Sequence, residues 1–277
     1  MTVPTKTAPP AAPFLRTTSI DPAAPFFIDT HCHLDAMEFD ADRDTVYAAA
    51  QAGGVATLVI PAVSRDNFGA VAATCERYPG CLPAWGLHPM YIDVHRPEHL
   101  ADLRAQIEAQ RPLAIGEIGL DLFVDLDYST QEFFYVEQLK IAQEYDLPVL
   151  LHGRRANDQL LKHLRKIKVR GGIAHAFNGS PQQADEFIKL GFKLGFGGAF
   201  TWPRANNLRR LAVDLPLEAI VLETDSPDIP PVWIGRGRNA PGELPRIAQT
   251  LAELRHLDRD VVAQATTHNA RELFSLA

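Results

Sequence analysis

From residue 26 onward the chain alternates short apolar runs of β character with longer stretches whose apolar residues recur at helical spacing. The short runs lie at 26–30, 56–60 (ATLVI), 82–87, 113–117, 148–152 (PVLLH), 172–175, 193–196 and 219–224 (AIVLET). Helical spacing marks 42–52, 67–78, 97–110, 130–145, 157–166, 181–190, 204–212 and 244–256, the first closed by Gly53-Gly54. A last helix is expected over 259–274, with a break. Eight βα units in one chain predict an α/β fold, a closed (β/α)8-type TIM barrel. An open doubly wound sheet is the alternative. No sequence repeat appears beyond the βα alternation.

Polar residues fall where the apolar runs stop. The first run ends in FFIDTHCHLD. Side chains alternate faces along a strand, so His31 and His33 project together and Cys32 points to the packing side. Two imidazoles on one face make half of a divalent metal site. Glu117 ends the fourth run, His152 the fifth, His175 the sixth, and Asp225 follows the eighth. Each has a plainer reading: Glu117 as a helix cap, Asp225 as an N-cap, either histidine as a core side chain bonded to a carbonyl. In a parallel barrel, however, all strand ends of this kind face one mouth, where active sites are built. Six Lewis-basic groups exceed what one structural ion needs. They suit two nearby divalent cations, with Glu117 as the bridging carboxylate.

Composition narrows the picture without changing it. Hydrophobic residues are 46% and charged residues 22% of 277, an ordinary globular balance. A formal charge of −7 argues against a long basic groove for nucleic acid, though not against a strand end entering a metal-lined pocket. Cys32, Cys75 and Cys81 lack zinc spacing, so a reduced, cytoplasmic setting is expected. No apolar stretch is long enough to cross a bilayer, so no membrane partner is expected. Residues 1–24 are rich in Pro, Ala and Thr, without the apolar segment of a secretion signal. They are expected to be a poorly ordered tail, with 25–277 a single, monomeric domain.

Taken in order, FIDTHCHLD, GLHP, GEIGLD, LPVLLHGR, HAFNGS, VLETDSPDIP and RNAP resemble the TatD-type metal-dependent hydrolases, TIM barrels of the amidohydrolase group. The resemblance runs from Phe26 to the C-terminus. It implies a distorted barrel holding one or two divalent ions, and a DNase supported by magnesium or manganese that removes nucleotides from 3′ ends of single-stranded DNA. Carried over, His31, His33, Glu117 and Asp225 would hold one ion, and Glu117, His152 and His175 the other. Asp225 would also accept the proton of the attacking water. Histidines suit zinc, iron and manganese; substrate phosphates would support magnesium. Two departures stand out: Gly153 replaces a residue that is often Ser or Cys, and the Pro-rich tail is unusual.

Phosphodiester cleavage requires positive groups beside the ions. Arg154 and Arg238 (in RGRNAP) are the candidates, with Arg155 equally readable as a surface charge. His88 is expected at the leaving group, at a phosphate or in strand-end packing, and Asp121 behind the ligands. Trp85, Phe177, Phe200 and Trp202 could stack on bases, but core packing explains any one of them as well. The same site could instead cleave a small amide, ester or lactone, or deacylate a charged tRNA. Glutamate where many small-molecule amidohydrolases carry a carbamylated lysine tilts toward phosphodiesters. A non-catalytic metal-binding scaffold is the third reading.

Overall fold

All eight apolar runs are parallel strands: β1 (Phe27–Asp29), β2 (Val55–Pro61), β3 (Cys81–Trp85), β4 (Ala114–Asp121), β5 (Val149–Arg154), β6 (Gly172–Ala174), β7 (Phe192–Phe196) and β8 (Ile220–Leu222). This computed structural model describes residues 26–276, so the expected tail lies outside the described residues. Strand order follows chain order. The sheet curls until its ends meet, where the Thr30 N–H donates to the Leu222 carbonyl at 3.1 Å. That contact rules out the open sheet and makes the fold a nearly closed barrel.

Helices α1 (Arg43–Ala52), α2 (Phe68–Arg77), α3 (His99–Ala109), α4 (Tyr128–Tyr145), α5 (Asn157–Leu164), α6 (Pro181–Lys189), α7 (Asn206–Asp214) and α8 (Leu244–Arg255) cover the outside. Leu58, Ile115, Leu139, Phe187 and Leu251 belong to the layer between sheet and helices. Inside the barrel, Ile28, Val59, Ala84, Ala114, Leu150, Ile173 and Val221 form a bottom layer. Each fully buried large aliphatic contributes about 1.5–3 kcal/mol. Helix α9 (Arg259–Phe274) closes this end with Ala270, Leu273 and Phe274. The expected break in it is absent. The segment has no Gly or Pro, and Thr266 Oγ1 donates back to the Val262 carbonyl at 2.9 Å within an unbroken helix.

Strands β4 and β5 run further than the pattern suggested, past Glu117 and His152, because their ladder continues through Gly119↔His152 and Asp121↔Arg154. Gly119 permits this: its φ is +147°, and a Cβ there would collide with the His152 carbonyl. The candidate stacking aromatics are packing residues. Trp85, Phe177 and Phe200 are buried, and the half-buried Trp202 donates its indole N–H to the Pro230 carbonyl at 3.1 Å. Cys32 is buried in the outer core, as its alternation implied. Among the described residues no helix is long and apolar enough to cross a membrane.

Candidate metal centre

Alternation along β5 carries Leu150 into the bottom layer, His152 to the level above it and Arg154 to the mouth. Strand β4 breaks the same rule to useful effect. Its pairing with β5 slips between Ile115 and Ile118, and Glu117, inside that slip, turns into the barrel. Glu117 is therefore not a helix cap, and it sits within its strand rather than at its end.

The β1 and β8 ends are tied together. Asp29 accepts the Thr224 N–H at 3.0 Å, the Thr224 hydroxyl at 2.6 Å and the His31 N–H at 3.2 Å. The Asp225 N–H donates to the His31 carbonyl at 2.8 Å and the His33 N–H to the Ser226 carbonyl at 2.7 Å. Asp225 itself has φ +56°, a left-handed turn that Asp tolerates better than most residues. Three of the expected ligands thus share one seam.

Glu117 is the centre of the cluster, and its two oxygens divide the histidines. On the Oε2 side, Nε2 of His31 lies at 3.0 Å and Nε2 of His33 at 3.9 Å. On the Oε1 side are His152 Nδ1 at 3.1 Å, His88 Nε2 at 3.2 Å and His175 Nε2 at 4.0 Å. Asp225 Oδ1 completes the ring, 3.7 Å from His31, 3.8 Å from His33 and 3.5 Å from His175. The donor atoms form three overlapping triads, His31–His175–Asp225, His31–His33–Glu117 and His88–Glu117–His152. All six sequence-predicted ligands are here. They fit a divalent cation: Nδ1 of the fully buried His31 has no hydrogen-bond partner, and its Nε2 meets the carboxylates of Glu117 and Asp225 at 3.0 and 3.7 Å without a well-directed hydrogen bond, a costly state unless a ligand takes the lone pair.

Electrostatics follow from this crowding. Burial pulls His31 down, with His175 adding to the effect, and takes His88 to about 4. Burial also works against an ionised Glu117, but His31, His88 and His152 outweigh it and hold the carboxyl well below the usual range. His152 is buried too, yet its hydrogen bonds to Asp121 and Glu117 raise it to about 9. For His175, the charges of Glu223 and Asp225 overcome burial and raise it to about 10. A centre of this kind holds protons that a metal must displace.

His88 lies beneath the mouth, buried against Glu117. Its Nδ1 accepts the Met90 N–H at 3.1 Å, which places the ring proton on Nε2, facing Glu117. It is a donor to the carboxylate, not a free lone pair. Asp121 stands behind the candidate ligand His152, with Oδ2 2.9 Å from its Nε2, leaving Nδ1 toward Glu117. Arg238 is not brought to the cluster. Its guanidinium forms a two-pronged pair with Asp42 at 2.9 and 2.7 Å and lies over Phe39. Arg154 does reach the mouth.

Two acids escaped sequence reasoning. Asp29, inside the first apolar run, was given no role, yet it is fully buried and its carboxyl is pushed up to about 8 by that burial. Glu223 lies 2.9 Å from His175 Nδ1 and accepts the Ala176 N–H at 2.6 Å, so it orients a candidate ligand. The only signal was an extra acid beside each ligand motif, FIDTH and LETDSP. Size is no guide either. A surface groove of about 420 Å³ lies at the opposite end of the barrel, lined by Arg170, Phe192, Lys193 and Glu272, and shares no residue with the cluster.

A (β/α)8 barrel with histidine–carboxylate triads at one mouth defines the class of metal-dependent hydrolases. Residues 28–275 match the family model described as TatD related DNase, and the chain belongs to that family. It is 42% identical over 255 residues to the uncharacterized metal-dependent hydrolase YjjV of Escherichia coli K12, covering 90% of this chain and 98% of YjjV. The crystal structure of that TatD homolog superposes with a TM-score of 0.87, covering 91% of this chain and 98% of the other. The 3′-5′ ssDNA/RNA exonuclease TatD of Cronobacter sakazakii is 35% identical over 257 residues, covering 89% of this chain and 97% of the relative. The chain is thus a metal-dependent hydrolase.

Proposed function

We propose that the enzyme is a two-metal deoxyribonuclease that removes nucleotides from 3′ ends of single-stranded DNA. The observation that carries this is the division of the histidines between the two oxygens of Glu117, which suits one carboxylate shared by two cations. His31, His33, Glu117 and Asp225 would hold one ion; Glu117, His152 and His175 the other. When bound, such ions polarise a phosphoryl oxygen and acidify a water. Magnesium, manganese and zinc are the candidate ions. The nucleic-acid substrate is supported by the exonuclease name of the Cronobacter relative.

The residues divide the remaining work. Asp225, whose Oδ1 faces three histidines from the strand-end loop, takes the proton of the attacking water. His88 and His152 keep Glu117 ionised and oriented. Asp121 fixes the tautomer of His152. Arg154, two residues beyond His152, meets the negative charge of the substrate, while Asp42 keeps Arg238 occupied elsewhere.

The test is metal-dependent release of nucleotides from labelled single-stranded DNA by Glu117→Ala and Asp225→Ala variants, beside RNA, ester and amide substrates. Both variants should lose activity by about two orders of magnitude or more. Unchanged activity in both would refute the two-metal scheme. Acyl substrates cleaved in preference to the strand would overturn the nuclease assignment.

A further inference from the structure

At the rim of the mouth, we propose, Arg154, Arg155 and Phe123 form a phosphate-binding subsite that grips the backbone of a single strand next to the linkage being cut; the site rests on the phosphodiester substrate proposed above. Arg154 ends β5 on the same side as His152, about 7 Å further along the strand. Its backbone is held by the Leu122 N–H, which donates to the Arg154 carbonyl at 2.9 Å. Arg155 has φ +55°, a backbone state that residues with a Cβ seldom adopt and that clusters at functional sites. The two guanidinium carbons lie 3.7 and 4.7 Å from the centre of one ring, that of Phe123.

Phe123 is 51% exposed, so the ring is not placed there to fill a core. Its N–H donates to Asp121 Oδ1 at 2.9 Å, and the other oxygen of Asp121 holds His152. The backbone that carries the ring is therefore tied to the metal centre through one carboxylate. A guanidinium lying on an aromatic ring uses its π face and leaves its N–H edge free for an anion. Neither guanidinium has a carboxylate or carbonyl partner among the described residues, whereas those of Arg77, Arg104, Arg165 and Arg238 pair with acids. Two unpaired like charges held against one ring repel each other, and a phosphate between them removes that repulsion. On a chain of net charge −7, this local pair sits where a phosphodiester must approach a carboxylate-rich pocket.

The measurement is binding of a fluorescent ten-nucleotide single strand to the metal-loaded protein by anisotropy, across a range of salt, with terminal phosphorothioate linkages to resist hydrolysis. For Arg154→Gln/Arg155→Gln, the slope of log Kd against log salt should fall by about 1.4, two contacts at about 0.7 each. Affinity at moderate salt should drop about tenfold. The same charge change on the outer helices, Arg104→Gln/Arg165→Gln, should leave the slope unaltered. Phe123→Leu keeps both charges and should weaken binding at least about threefold with no change in slope. Wild-type slope and affinity in the double variant overturn the subsite, and wild-type affinity in Phe123→Leu overturns the ring's part in it. Cleavage is read separately on an unprotected strand. Protein that binds with the expected slope but releases no nucleotide with magnesium, manganese or zinc overturns the nuclease assignment alone; protein that does not bind single strands overturns both.

Discussion

Replacing Glu223 by Gln isolates the contribution of a charge that no ligand list would include. Glu223 Oε1 makes both useful contacts, accepting the Ala176 N–H at 2.6 Å and lying 2.9 Å from His175 Nδ1, while Oε2 is buried without a partner. Gln preserves the shape and one oxygen for those contacts. It removes the charge and places an amide NH2 where no acceptor waits. A hydrogen bond to a charged group contributes about 1.5–3 kcal/mol, and a partner behind a metal-ligating histidine is typically worth 10–100-fold in metal affinity. We therefore expect the metal Kd to rise by about 10–100-fold. The proton affinity of His175 in the metal-free protein should fall from about 10 toward the ordinary histidine range, because the Glu223 charge is the largest influence opposing burial there. Competition with a chromogenic chelator reads the first quantity, and an NMR pH titration the second. A Gln variant with wild-type metal affinity and an unmoved His175 titration would refute the orienting role and leave Glu223 as packing.

Three further outcomes follow from the same geometry. His152 and His175, raised to about 9 and about 10, must lose protons to ligate, so metal affinity should climb from pH 6 to 9 with proton release detectable by calorimetry in buffers of different ionisation heat; flat affinity contradicts this. In the metal-free protein those two histidines bind protons more tightly folded than unfolded. Their stabilisation is complete below about pH 6.5 and is lost as pH rises through about 9 to 10, at up to about 1.4 kcal/mol per pH unit for each. Urea unfolding at pH 7 and pH 9 tests the sign. Leu150→Ala, in the bottom layer two positions below His152, should cost about 2–5 kcal/mol in urea unfolding, and a smaller loss would mean the layer collapses around the gap.

The strand count was legible because β strands buried on both faces read as unbroken apolar runs, and the clustered histidines and carboxylates because a polar residue ending such a run is conspicuous. Strand lengths were not. In GEIGLD nothing local separates a strand that stops at Glu117 from one that continues to Asp121, because continuation depends on a ladder with β5. The inward turn of Glu117 is likewise a property of the slipped pairing rather than of its own neighbours. Asp29 and Arg238 were obscure for a different reason: their partners, Thr224 and Asp42, lie 195 and 196 residues away in the chain. The exposure of Phe123 is set by loop geometry, which periodicity does not encode.

The seam between β1 and β8 also ties enzyme maturation to chain length. His31 and His33 emerge early in synthesis, while Asp225, Thr224 and Ser226, which lock them in place, arrive nearly two hundred residues later. Contacts of such sequence separation are slow to form because loop-closure entropy must be overcome first. A nascent or truncated chain thus carries two loose imidazoles without the carboxylate and turn that complete their site. Closing the barrel and assembling the cluster are therefore one event, and a chain that stops short of Asp225 lacks the carboxylate that the proposed reaction needs.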